Sequence, residues 1–161
     1  MAQEPTKITA RNSDIARALR ALETLAKTHG FPDAGTVSRV GRTLRRLREA
    51  AEPVGEAQQA LNNAYCERDE EGKPIPGLEP GSFKIADMRA FLAESAKLAK
   101  EPCEVEVFPI TVAALGEGDK TGKQQTCTKC RKVTGLPSPE EYATLLDLGI
   151  LLERKAESDA A

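Results

Sequence analysis

Two cysteines three positions apart, Cys127 and Cys130, are the residues whose spacing points most directly to chemistry. A C-x-x-C pair can place two thiolates on one tetrahedral Zn²⁺, and basic neighbours such as Lys129, Arg131 and Lys132 favour the thiolate form. A closed structural site takes four ligands, and the other soft or imidazole donors, Cys66, Cys103 and His29, each stand alone. Cys103 precedes a predicted strand that leads towards the C-x-x-C loop. A metal site of Cys127, Cys130 and Cys103 with one more ligand is therefore one arrangement, and a site shared between two chains is another. The weight falls on two unpaired thiols in a loop, with no cofactor and with zinc as the alternative. A redox pair of the thioredoxin kind needs a βαβ setting that this sequence lacks.

Catalysis finds little support. The single histidine, His29, falls at the predicted end of a helix, where a cation meets the helix dipole, so its expected role is structural. One imidazole excludes an HExxH motif, and no G-x-S-x-G elbow, P-loop or dinucleotide fingerprint opens a helix. Carboxylates cluster in loops and on polar faces. The chain is not expected to be an enzyme.

A comb of arginines is the second candidate. Arg39, Arg42 and Arg46 step by three and four and share one helix face, with Arg45 and Arg48 beside it. Such a comb can grip phosphates. However, no aromatic residues are interleaved for base stacking, and the net charge of the whole chain is −2. The charge is unevenly spread: residues 1–50 carry ten Lys/Arg against five Asp/Glu, and residues 51–115 carry six against twelve. Arginine also pairs bidentately with carboxylates. Ion pairing within the chain or between subunits is the expected use, with the acidic stretch Asp69, Glu70 and Glu71 as the partner. Nucleic-acid binding is the alternative.

The elements that must carry these residues are mainly helical. Aromatics make up only 4% of the 161 residues and Trp is absent, so Leu, Val, Ile and Ala must build the core. The spacing of Ile15, Leu19, Leu22 and Leu25 predicts a helix over 14–29, capped by Asn12 or Ser13 and stopped by Gly30 and Pro32. A short strand over 7–10 precedes it. Val37, Val40, Leu44, Leu47, Ala51 and Val54 then form a heptad seam, suited to a hairpin with the first helix or to self-association between chains. Pro53, with Gly55 close by, predicts a kink or break.

Residues 67–82 are acidic and turn-rich and read as a surface loop or loose β-arm. A short strand over 83–85 follows. Asp87 caps a third helix to about residue 99, with Met88, Phe91, Leu92, Ser95 and Leu98 facing inward. Alternation over 104–111 predicts a strand with Val105 and Val107 on one face and Glu104 and Glu106 on the other, and Pro109 marks an edge or an end. Residues 116–133 read as a flexible insert carrying the C-x-x-C. Ser138, Pro139 and Glu141 form a capping box for a last helix whose stripe is Tyr142, Leu145, Leu146, Gly149 and Leu152. Residues 155–161 should fray. The expected fold is one mainly helical α+β domain: a helical hairpin scaffold, two or three short strands and a C-terminal helix. No apolar run is long enough to span a bilayer and the start has no signal-like apolar stretch, so a membrane partner is not expected and a reducing cytoplasm is.

The order of several segments resembles a family of short proteins of unknown function encoded by tailed phages and prophages. The resemblance is carried by Lys7-Ile8, the Leu-rich helix over 18–26, the basic segment over 37–47, residues 56–61 leading to Tyr65 and 67–73, then residues 83–87, Val105 to Ile110, and a closing helix after Leu136-Pro137. The region 116–133 departs from that pattern. The resemblance implies no assigned active site. It implies a phage accessory protein in the bacterial host's cytoplasm or in the virion, working through contacts with phage structural proteins or itself. A host-directed or nucleic-acid-binding factor is the competing class.

Overall fold

A strand, β1 (Thr6–Arg11), runs directly into the first helix, α1 (Asn12–Thr28), and a short loop leads to a second helix, α2 (Ala34–Tyr65). After an irregular arm come α3 (Met88–Lys100), β2 (Pro102–Val107), β3 (Ile110–Thr111) and a 3₁₀ turn (Val112–Leu115). The chain closes with β4 (Gln125–Thr126), β5 (Val133–Thr134), α4 (Pro139–Asp147) and β6 (Leu151–Leu152). The computed structural model describes residues 4–116 and 124–153. The expected fraying tail over 155–161 and the middle of the 116–133 insert lie outside these residues.

The expected hairpin is the scaffold. Ile15, Ala18, Ala21, Leu22 and Leu25 give α1 a buried stripe, and Val40, Thr43 and Leu47 face it from α2. Leu47 has no exposed surface, and burying such a side chain contributes about 1.5–3 kcal/mol. Val105 and Val107 close the core from β2, with Ile110, Leu115, Leu145, Ile150 and Leu151 completing it. The architecture is mainly helical α+β. It carries more strand than expected: six short strands among the described residues, arranged as three two-stranded sheets.

The start of α1 differs from its expected capping. Arg11 is the N-cap and makes no side-chain cap bond, while Asn12 lies inside the helix and is buried. The Asn12 backbone N–H donates to the Glu101 carbonyl (3.0 Å) and its side-chain amide to the Leu98 carbonyl (2.8 Å). The end of α3 thus supplies the acceptors that a local cap would have supplied.

Pro53 neither breaks nor divides α2, which runs unbroken for 32 residues. At about 1.5 Å per residue that is roughly 48 Å, nearly twice the length of α1. Pro53 and Gly55 are both exposed, so the bond that proline withholds from the Glu49 carbonyl is lost on a face where water can replace it.

Beyond Leu47 no residue of α2 is fully buried. The second half leans on α3 through Gln58 Nε2 to Ser95 Oγ (3.3 Å) and an edge-to-face contact of Tyr65 with Phe91 at 6.0 Å. Phe91, Ser95 and Leu98 are half-buried as expected. Met88 and Leu92, placed on the same inward stripe by sequence, are 53% and 58% exposed. The helices packed against α3, α2 and to a lesser extent α1, leave the first turns of that stripe uncovered.

The acidic segment forms the looser of the two alternatives, a β-arm. Cys66 bridges Ile85, Arg68 bridges Pro74 and Pro76 bridges Phe83, in antiparallel sense. β1 and β2 pair antiparallel from Thr6 opposite Val107 to Arg11 opposite Pro102. Phe108 and Pro109 then interrupt the predicted strand over 104–111, and β3 departs to pair in parallel with β6. The capping box of Ser138 and Glu141 forms as expected. The helix stops at Asp147, short of the predicted stripe. Gly149 turns the chain at φ 65°, which places Leu152 in β6.

Candidate functional site

The arginine comb does not reach into open solvent for its partners. Arg39 Nη1 donates to the Pro109 carbonyl at 3.3 Å, and the Arg42 guanidinium lies 5.5 Å from the centre of the Phe108 ring. Arg46 pairs with Glu49 at 3.1 Å and with Glu106 at 3.7 Å, and Arg48 holds Glu23 through Nε and Nη2 at 3.1 and 2.8 Å. Between them sits Thr43, fully buried. Its hydroxyl accepts from the Phe108 N–H (2.9 Å) and donates to the Phe108 carbonyl (3.3 Å). One face of α2 therefore clamps the corner where β2 ends.

Ion pairing inside the chain, the use expected for Arg46, is what its contacts show, but the partners are not the acidic stretch. Asp69 is spent on its own turn, accepting from the backbone N–H groups of Glu71 (3.0 Å) and Lys73 (2.8 Å), while Glu71 pairs with Lys73 at 2.7 Å. The short sequence separation inside that arm satisfies its charges locally. Glu106 was legible as the outer face of a strand, but its position beside α2 follows from tertiary packing alone. The roles of Thr43, Phe108 and Pro109 were missed. Thr43 lies within the heptad between Val40 and Leu47, and a polar residue on an apolar seam was the available signal.

Of the seam residues, Val40 and Leu47 are 4% and 0% exposed and Leu44 is half-buried within this one chain, while Val37 is 54% exposed. The chain's own α1 and β2 pack against α2, which is the hairpin use expected of the heptad.

The C-x-x-C pair occupies the tip of the β4–β5 hairpin. The Cys127 N–H donates to the Lys132 carbonyl (2.8 Å) and the Arg131 N–H to the Cys127 carbonyl (2.9 Å), with Arg131 in the left-handed region at φ 56°. The backbone amides of Cys130 and Lys129, and then the Cys130 side chain, favour the Cys127 thiolate and hold that thiol below its ordinary pKa. Both cysteines are exposed and unpaired as disulfides.

Cys103 is not brought to them. It lies opposite Ala10, beside the start of α1, whereas the hairpin adjoins the end of α1 through Gly30 N–H to Val133 O (2.9 Å). The 17-residue helix between the two places sets them roughly 25 Å apart. Cys66 terminates α2, at the far end of the molecule's longest helix. Among the described residues no group of three or more His, Cys, Asp or Glu side chains is gathered as a metal centre.

His29 has the structural position expected of it, but not as a cation on the helix dipole. It is 4% exposed, with Nε2 donating to the Gly135 carbonyl at 3.0 Å and Nδ1 3.0 Å from the Thr28 hydroxyl. Burial lowers its pKa against the opposing pull of the Gly135 carbonyl and Glu141, so the neutral ring is favoured. With both nitrogens engaged, it is no spare metal ligand.

Among the exposed large apolar residues, Leu78, Phe83, Met88 and Leu92 are 106%, 42%, 53% and 58% exposed and belong to the β-arm or the first turns of α3, while Val37 (54%) and Leu136 (38%) lie at the start of α2 and in the loop before α4. Together with the second half of α2 the arm and those turns make an end of the molecule with little core of its own. Among the described residues no helix is long and apolar enough to cross a membrane. No protein-family model, curated protein or solved structure matches the chain.

Proposed function

We propose that this chain is a non-enzymatic accessory protein acting through protein–protein contacts, in the virion or tail module of a tailed phage or in its assembly. The phage setting rests on the sequence resemblance. The mode of action is supported by one contrast. Arg39, Arg42 and Arg46, the residues best spaced to meet phosphates, engage Pro109, Phe108, Glu49 and Glu106 of their own chain, whereas large apolar side chains stand exposed at the arm and α3. Exposed apolar side chains in one region of the chain are suited to a protein partner. A photo-crosslinking residue placed at Leu92, and separately at Arg45, tests the reading in infected cells. Adducts from position 92 to phage structural or assembly proteins are expected. Nucleic-acid adducts from position 45 with none from position 92 would overturn it.

A second reading, nucleic-acid binding, draws on the exposure of the comb. The Arg46 and Arg48 side chains remain 49% and 60% exposed although paired, so a phosphate can compete for them with the carboxylates. Such binding would weaken steeply with salt, with log affinity falling by about 0.9 for each phosphate neutralised on duplex DNA.

A further inference from the structure

We infer that the hairpin tip is half of a tetrahedral thiolate zinc site, with Cys127 and Cys130 of one chain completed by Cys127 and Cys130 of a second copy. This goes beyond the proposed function and does not depend on it.

The local backbone is already in the form that metal binding requires. A turn over Thr128, Lys129 and Cys130 joins two short strands, and the Arg131 N–H to Cys127 carbonyl bond closes it. Arg131 adopts a left-handed conformation that costs a non-glycine residue about 1–2 kcal/mol, so the tight turn persists at an energetic cost.

The same structure rules out completion from the chain's other described cysteines or its histidine. Cys103 lies at the opposite end of α1 and Cys66 at the far end of α2, and both ring nitrogens of His29 are engaged. Two thiolates leave half of zinc's tetrahedral positions to be filled. The described residues from 124 to 132 are all exposed, so nothing among the described residues obstructs a second tip. Electrostatics fit the same occupant. Zinc with four thiolates is a doubly negative centre, and Lys129 and Arg131 flank Cys130 in each chain. Without the metal, the same charges would hold two tips apart, which makes association conditional on it.

The test is a titration of the reduced full-length chain with Co²⁺ and then Zn²⁺, followed by absorbance and by sedimentation. The account expects thiolate-to-cobalt charge-transfer bands with tetrahedral d–d absorption, saturation at one metal per two chains, and a shift from monomer to dimer that a chelator reverses. C127S should abolish both the bands and the dimer without changing the circular dichroism, and C103S should change neither. Saturation at one metal per chain in a monomer would overturn the shared site. So would the absence of thiolate bands, or their loss in C103S.

Discussion

Replacing Arg39, Arg42 and Arg46 together by Gln removes three contacts that converge on one corner of the fold, and their worth can be worked out from the structure. The Arg39 bond to the Pro109 carbonyl is long at 3.3 Å, so it should contribute about 1 kcal/mol, below the usual range for a charged donor. An exposed cation over a ring, as with Arg42 and Phe108, contributes about 0.5–1 kcal/mol. The Arg46 pairs are half-exposed and screened, so about 0.2–1 kcal/mol suffices for them. Because all three act on the same corner, the losses will not add strictly, and about 2 kcal/mol is the expected total. In a domain of 161 residues that corresponds to a Tm lower by about 4–8 °C, read by calorimetry at low and physiological salt. The reasoning is refuted if Tm moves by less than about a degree while the variant loses a salt-sensitive affinity for duplex DNA that the parent chain possesses. The comb would then serve phosphates and not the fold.

Three further outcomes follow from single positions. Thr43→Val keeps the shape of the side chain but strips the Phe108 N–H of its partner, so it should cost about 1–3 kcal/mol in denaturant unfolding, and more than Thr43→Ser; the reverse order would show that the methyl matters and the hydroxyl does not. Pro53→Ala restores a bond inside an intact helix and should raise stability by about 2 kcal/mol, a helix-interior gain of about 3 offset by greater freedom in the unfolded chain; a loss of stability would mean that proline shapes α2 in a way that packing requires. For His29, burial lowers the folded-state pKa, so the unfolded chain takes up the proton first. Its contribution is complete above about pH 6.5 and is lost as pH falls towards and through the lowered folded value. His29→Gln should flatten the stability profile between about pH 7 and 5, and an unchanged slope would assign the acid sensitivity to other groups.

Much of the fold was legible because local signals agreed with tertiary ones. The Ile15 to Leu25 stripe, the Val40 to Leu47 seam and the Ser138 capping box each satisfy their own element and also the core. The sequence misled where a local rule met an unusual surround. Pro53 should have broken α2, but its missing bond falls on a solvent face. Asn12 is a good cap by type and is used as a tether, because the α3 terminus lies beside it 86 positions away in the chain. Met88 and Leu92 have core-like spacing, but the helices packed against α3 leave them exposed. For the candidate site, sequence placed the arginines on one face and could not identify Phe108, Pro109 and Glu106 as what they hold. Cys103 seemed a third ligand by order along the chain, and the length of α1 separates it from the pair.

The central proposal, that the chain works by contact with phage proteins, is tested most directly by following it through a density gradient of lysate from phage-infected cells that produce it. Quantitative mass spectrometry across the fractions is predicted to find the chain with particles or with head or tail assembly intermediates, before and after nuclease treatment. Leu92→Asp, on an exposed face of α3, should move it to the free-protein fractions with its circular dichroism unchanged. A wild-type chain that stays at the top of the gradient, or whose sedimentation collapses on nuclease treatment, would contradict the account.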